Sequence, residues 1–163
     1  MTVREYTTFC LGEQMYAVDI LCVREINRAL DATPVQQAPS FIRGLSNLRG
    51  QVITLFDLSE RMGRGPIALK DEHFNIVLKT NEELNHICER ENRDDIWTIP
   101  KDTVSLLVGN IGDVIQVDES HVSPTPANVS GEDSDYLAGI IHHDNRLINL
   151  IHVTKVLDHK QNN

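Results

Sequence analysis

A chain of 163 residues with a formal net charge of −9 can build one domain with a substantial core, or two small barrels sharing one, and it would be repelled by a nucleic-acid backbone or an anionic membrane surface. Hydrophobic residues make up 40% of the chain and aromatics only 5%, so the core must come mainly from Val, Ile and Leu. The three cysteines, Cys10, Cys22 and Cys88, are odd in number and lack a C-x-x-C spacing, which argues against a disulfide scaffold and for free thiols in a reducing compartment.

The first ten residues carry Arg4 and Glu5 and no apolar h-region, and no apolar run approaches the roughly 20 residues that span a bilayer. A cytoplasmic location without direct membrane insertion is the expectation. Tyr6 to Leu11 and Met15 to Ile20 then read as a hairpin about Gly12-Glu13-Gln14. From Asp19 the apolar spacing changes to three, through Ile20, Val23 and Ile26. This fits a short helical turn capped by Asp19, or a bent strand.

The prolines of 31–39 bracket Val35-Gln36-Gln37, read as a short edge strand, and Ser40 to Arg43 fits one helical turn. Gly44 to Gly50 reads as a loop bounded by glycines, in which Gly44, Asn47 and Gly50 serve the backbone. Gln51 to Leu58 is a strand. Asp57 reads as the cap of a short helix from Leu58 to Met62, closed by Gly63. His73 to Lys79 is a further strand. The stretch 81–95 is polar and charged, and is expected as an extended loop, an exposed helix or a disordered segment.

Strands resume at Thr103 to Val108 and Ile111 to Val117, and Pro124 and Pro126 stiffen the next connection. Asp135 to His143 and Arg146 to His152 form a second hairpin about Asp144-Asn145, both tolerant of the left-handed region. Val153, Val156 and Leu157 give a short amphipathic C-terminal helix, with a fraying tail from Lys160. Many short strands with regular turn signals indicate the all-β class.

Enzyme signatures are weak. Gly44-Leu45-Ser46-Asn47-Leu48 lacks the closing glycine of a nucleophile elbow, and neither a P-loop nor G-x-G-x-x-G is present. Adjacent His142 and His143 on a strand point to opposite faces, and Glu83, His86 and Cys88 form a poor ligand set. No catalytic residue, metal or cofactor is expected. A small metal- or thiol-dependent enzyme is the remote alternative.

The order of short motifs between Tyr6 and Gly63 resembles the first half of a CheW domain, the chemotaxis coupling family. The resemblance rests on Phe9-x-Leu11-Gly12, Tyr16-x-x-Asp19-Ile20, Val23-x-Glu25-Ile26, Pro39-x-Phe41-Ile42-x-Gly44, Asn47-Leu48-Arg49-Gly50 and Leu55-x-Asp57-Leu58. Ile111-x-Asp113-Val114, Tyr136-Leu137-x-Gly139 and Arg146-Leu147-Ile148 extend it more weakly to Leu157. The family implies a mainly β fold of two intertwined five-stranded SH3-like barrels with a shared hydrophobic core, short helices and a C-terminal helix. The whole chain would be one such domain. Its first subdomain would run from about 16 to 78 plus the C-terminal helix, and its second from about 103 to 150 plus the N-terminal strand, with 81–95 as a polar insertion.

The same resemblance implies an adaptor that couples the cytoplasmic tip of a chemoreceptor to the regulatory domain of a CheA-type histidine kinase, recruited to membrane-associated receptor arrays. The isolated chain is expected as a monomer. Ile20, Val23 and Ile26 map onto one wall of the receptor groove and Ile111 and Val114 onto the other, although binary pattern alone equally allows ordinary core. Glu25 and Arg49 match a polar pair implicated in partner binding, against the alternative of a solvated surface pair. Phe56 is the candidate for the kinase-facing edge. Ser105, Gly109 and Thr54 depart from the family's usual Gly, Asp and Pro, and a CheW-like competitor or scaffold of a pilus-motility or other chemosensory pathway is the alternative function.

Overall fold

In the computed structural model, which describes residues 2–28, 30–69, 72–93, 99–126 and 135–159, the first hairpin pairs β1 (Val3–Leu11) with β2 (Gln14–Asp19). Asp19 resolves both readings of the segment after it. Its side chain accepts from Leu21 N at 3.0 Å and caps a 3-10 turn over Ile20–Cys22, and the chain then straightens into β3 (Val23–Asn27). The later strands are β4 (Ile42–Leu48), β5 (Gln51–Asp57), β6 (Phe74–Leu78), β7 (Val104–Val108), β8 (Ile111–Asp118), β9 (Val122–Ser123), β10 (Leu137–His143) and β11 (Arg146–Ile151). Among the described residues the strands are interrupted by the short α-helices α1 (Leu58–Arg61), α2 (Asn81–Arg90) and α3 (Val153–Leu157).

The strands form two sheets, a six-stranded one in the order β8-β1-β2-β11-β10-β9 and a five-stranded one in the order β3-β6-β7-β5-β4. This bears out the mainly β class with short helices and a C-terminal helix. The sixth strand arises because Val122 and Ser123 pair with Ile141 and Ile140. Neither sheet is built from one continuous stretch of chain. The tight turn after Leu11 keeps β2 beside β1 in the six-stranded sheet, while β7, buried at all five positions, is drawn between β5 and β6 in the other.

One hydrophobic cluster draws on both sheets: Phe9, Tyr16 and Val18 from the first meet Phe56, Ile76 and Leu106 from the second, with Val153, Val156 and Leu157 of α3 packed in. Two smaller clusters belong to one sheet each, around Tyr6, Ile115 and Ile148 in the six-stranded sheet and around Ile53, Leu55 and Val77 in the five-stranded one. Arg61 fixes α3. Its guanidinium lies 4.8 Å from the Phe41 ring and 4.8 Å from the Tyr136 ring, while its Nε donates to Val156 O at 2.8 Å and its Nη2 to Asp158 O at 2.6 Å.

Several local expectations are corrected. The segment around Val35 to Gln37 is not a strand. Thr33 makes a single bridge to Leu45, and the chain then turns at Gln36 and Gln37. Ser40 and Phe41 form a turn rather than a helical turn to Arg43, because β4 already begins at Ile42. The Gly44-to-Gly50 loop is mostly strand: β4 runs to Leu48, and only Arg49 and Gly50, with φ of 52° and 85°, make the hairpin turn. Of the forms expected for the polar stretch from Asn81, the structure shows the helix, through Arg90, started by a capping box between Thr80 and Glu83 and held by buried Leu84 and Cys88. The end of that stretch, 94–95, lies outside the described residues, as does the tail from Lys160.

Asp57 caps α1 as expected, accepting from Glu60 N at 3.1 Å. It is also fully buried, and its other carboxylate oxygen accepts from Arg43 Nε at 2.9 Å and Ile67 N at 3.0 Å. Gly44 sits at a register shift between β4 and β5 with a φ of 143°, and a Cβ there would lie 2.2 Å from the Thr33 carbonyl oxygen. Gly44→Ala should therefore cost about 2–4 kcal/mol in urea unfolding. Gly50→Ala, with nothing within 4 Å of its Cβ, should cost nearer about 1 kcal/mol. Equal losses for the two variants would contradict this account of Gly44.

Candidate protein-docking site

β3 and β4 stand at opposite ends of the five-stranded order, yet side chains of β3 reach the β4–β5 turn. Arg49 Nη2 donates to Glu25 Oε2, and Arg24 Nη1 donates to Gln51 Oε1 at 3.2 Å. The sheet thus curls until its two edges face each other around Ile53, Leu55 and Val77, and polar side chains bridge the seam. Arg24 and Glu25 are neighbours that would normally point to opposite faces. A register shift between Val23 and Glu25 in the pairing with β6 breaks that alternation and lets both reach the turn.

The turn itself is built to present Arg49. Asn47 Oδ1 accepts from Gly50 N at 2.8 Å, which holds Arg49 in the left-handed region at the tip. Glu25 accepts from Asn27 Nδ2 at 2.9 Å on its other oxygen. The Asn27 hydrogen bond, followed by the one from Arg49, holds the Glu25 carboxyl below the usual carboxylate range. The Arg49 side chain is 67% exposed and that of Glu25 is 26% exposed, so the pair is fixed in place while one face of the guanidinium stays open to solvent.

The aliphatic candidates divide. Ile20, Val23 and Ile111 are half-buried, and Val23 and Ile111 pack against the cluster shared by both sheets. Ile26 on β3 and Val114 on β8 are exposed, each on a different sheet. Phe56 needs correction as a surface contact. It is 1% exposed and packs on Phe41 with ring centroids 5.0 Å apart, because the inward face of β5 carries it into the core. It reaches only the floor of a cavity of about 680 Å³ that Val35, Leu45, Val104, Leu157 and His159 also line.

Sequence reading missed the partners of three arginines. Arg43 belongs to buried Asp57 and Arg61 to the end of α3, while Arg24 donates to Glu83 of α2 through Nε at 3.3 Å and through Nη2. Only the last left a trace in the sequence: Thr80-x-x-Glu83 is a capping-box spacing that would have announced α2 and placed Glu83 in its first turn.

Among the described residues no three His, Cys, Asp or Glu side chains gather to hold a metal ion. Cys88 is buried while His86 is exposed, and burial pushes the Cys22 thiol well above its ordinary value. His142 is bonded to Ser123 Oγ at 2.9 Å, and His143 lies 3.4 Å from Asp144. Among the described residues no helix is long and apolar enough to cross a membrane.

A CheW-like domain model matches residues 5–161. The chain is 29% identical over 153 residues to the chemotaxis protein CheW of Rhizobium meliloti, covering 94% of this chain and 86% of that protein. It is 27% identical over 150 residues to the chemotaxis protein CheW of Bacillus subtilis, covering 92% and 84%. The crystal structure of the scaffolding protein TtCheW from Thermoanaerobacter tengcongensis superposes with a TM-score of 0.75 at 26% identity, covering 95% of this chain and 92% of that one.

The depressed Glu25 carboxyl fixes the sign of a pH effect. Its contribution is complete above the ordinary carboxylate range and is lost as the pH falls through its lowered native value. Glu25→Gln should therefore lower the urea midpoint more at about pH 7 than at about pH 3. Equal shifts at both would show that the Asn27 and Arg49 bonds do nothing for the ionised form.

Proposed function

The chain belongs to the CheW-like family, and we infer that it serves as a chemosensory scaffold coupling chemoreceptors to a CheA-type histidine kinase. The family match over 5–161, on a fold with a cluster common to both sheets, carries this reading. The finer assignments are that the receptor partner is its cytoplasmic helical tip and the kinase partner its regulatory domain. The protein then works in the cytoplasm at receptor arrays and performs no chemical step of its own.

The seam pair supports the receptor assignment. Arg49 gives Nη2 to Glu25, and the exposed remainder of its guanidinium can take a carboxylate from a partner helix. Exposed Ile26 and Val114 are the apolar anchors available to such a helix. Covering an aliphatic side chain is worth roughly 1.5–3 kcal/mol before ordering costs, so two anchors and one charged contact suit a reversible, micromolar association. Val23 and Ile111 act from behind, by fixing the strands that carry these residues against the core.

For the kinase, Phe56 supports the strand end from within instead of touching the partner. Arg49→Ala should weaken binding of a receptor-tip hairpin by about tenfold while leaving the unfolding midpoint nearly unchanged, because an exposed ion pair contributes only about 0–1 kcal/mol to folding. Isothermal titration against the tip and the kinase regulatory domain measures this. Wild-type affinity for both partners in the variant would remove Arg49 from the site.

A further inference from the structure

We propose that Arg24 and Glu83 are positioning residues for partner binding: α2 acts as a fixed buttress that, through this ion pair, holds the seam on which Glu25 and Arg49 are displayed. This deepens the docking reading above and rests on it.

The geometry runs in a continuous line from helix to turn. Arg24 presents its fork to both oxygens of Glu83, through Nε at 3.3 Å and through Nη2. Its remaining Nη1 donates to Gln51 Oε1 at 3.2 Å, and Gln51 Nε2 donates to Thr103 Oγ1 at 2.9 Å. Arg24 is the neighbour of Glu25 along β3, and Gln51 is two residues from Arg49 across the turn. One row of contacts, Glu83–Arg24–Gln51, therefore lies beside the other, Asn27–Glu25–Arg49.

A buttress must itself be anchored, and α2 is. Leu84 and Cys88 are buried, and Thr80 and Glu83 exchange capping bonds. Asn81 bonds the backbone of Ile99 in both directions at 2.8 Å, and Arg93 lies 3.4 Å from Asp19 at the start of the 3-10 turn. Burial pushes the Glu83 carboxyl up, but the Arg24 hydrogen bond and the Thr80 contacts outweigh it and hold it below the usual range. The pair is thus ionised at neutral pH. At 26% and 39% side-chain exposure it is too wet to be a main source of folding stability, which fits a role in placement. With Glu83 neutral, the Arg24 fork is free to leave Gln51, and the turn loses its second brace beside Arg49.

The test uses the full chain in four forms: wild type, Glu83→Gln, Arg24→Gln, which leaves the helix cap untouched, and Arg24→Lys, which keeps the charge without the fork. Arg49→Ala is added to each. Affinity for a receptor-tip hairpin and for the kinase regulatory domain is read by titration calorimetry. Either single neutralisation should weaken tip binding about three- to tenfold and leave the kinase domain unaffected, and Arg24→Lys should lose less than Arg24→Gln. In the Arg49→Ala background the same changes should have little further effect, since the group they position is gone. Tip binding equal to wild type in both neutralised forms, with Arg49→Ala still weakened, would overturn the buttress and leave the docking site standing. Failure of Arg49→Ala to weaken binding would overturn the docking site, and the buttress with it.

Discussion

Two curled sheets here cannot be separated without exposing one common core. Phe9, Tyr16 and Val18 have no interior of their own to enter, and neither have Phe56, Ile76 and Leu106. Each sheet encloses a small private cluster, but the large aromatic and aliphatic side chains meet between the sheets. With aromatics at only 5% of the chain, that cluster is the principal apolar asset, and removing these side chains from water is the dominant favourable term. The α3 helix seals it, and Arg61 locks the helix by occupying its terminal carbonyls while stacking between Phe41 and Tyr136.

A rigid, shared interior leaves the barrel seams and sheet edges as the places where a partner can be met. The seam of the five-stranded sheet is closed by charge and hydrogen bonding between side chains of the edge strand β3 and those of Arg49 in the β4–β5 turn and Gln51 at the start of β5. Polar closure of this kind is weak in folding terms and strong in geometric terms: it sets where a guanidinium points and keeps it solvated. An adaptor needs that combination, because its output is the relative placement of two other proteins.

Much of the fold was legible from residue pattern. The two hairpins at Gly12 and at Asp144-Asn145, the Asp57 cap and the C-terminal helix are local events, and turn chemistry and capping announce them. The errors are equally physical. The run from Gly44 to Leu48 has the glycine and asparagine of a loop, but Gly44 is required because the Thr33 backbone crosses over it, a tertiary fact with no local sign. The 81–95 stretch has the composition of a solvated segment, which left loop, helix and disorder open, and only the helix brings Leu84 and Cys88 into the interior. The burial of Phe56 has no local sign, because period-two alternation does not say which face of a strand is the inner one.

In the site, Glu25 and Arg49 were found through the family motif and do meet, whereas the role of Arg24 depends on a bulge that alternation cannot express. The parallel pairings of β2 with β11 and of β5 with β7 join strands distant in sequence and carry no local sign.

The central claim is that this chain raises receptor control over a kinase by binding both at once. Titrating the purified protein into membranes bearing the receptor, with the kinase at fixed concentration, and following kinase autophosphorylation tests it most directly. Activity that rises to a plateau and then responds to receptor ligand is the expected result; activity that only falls, or does not change, as the protein is added would contradict it.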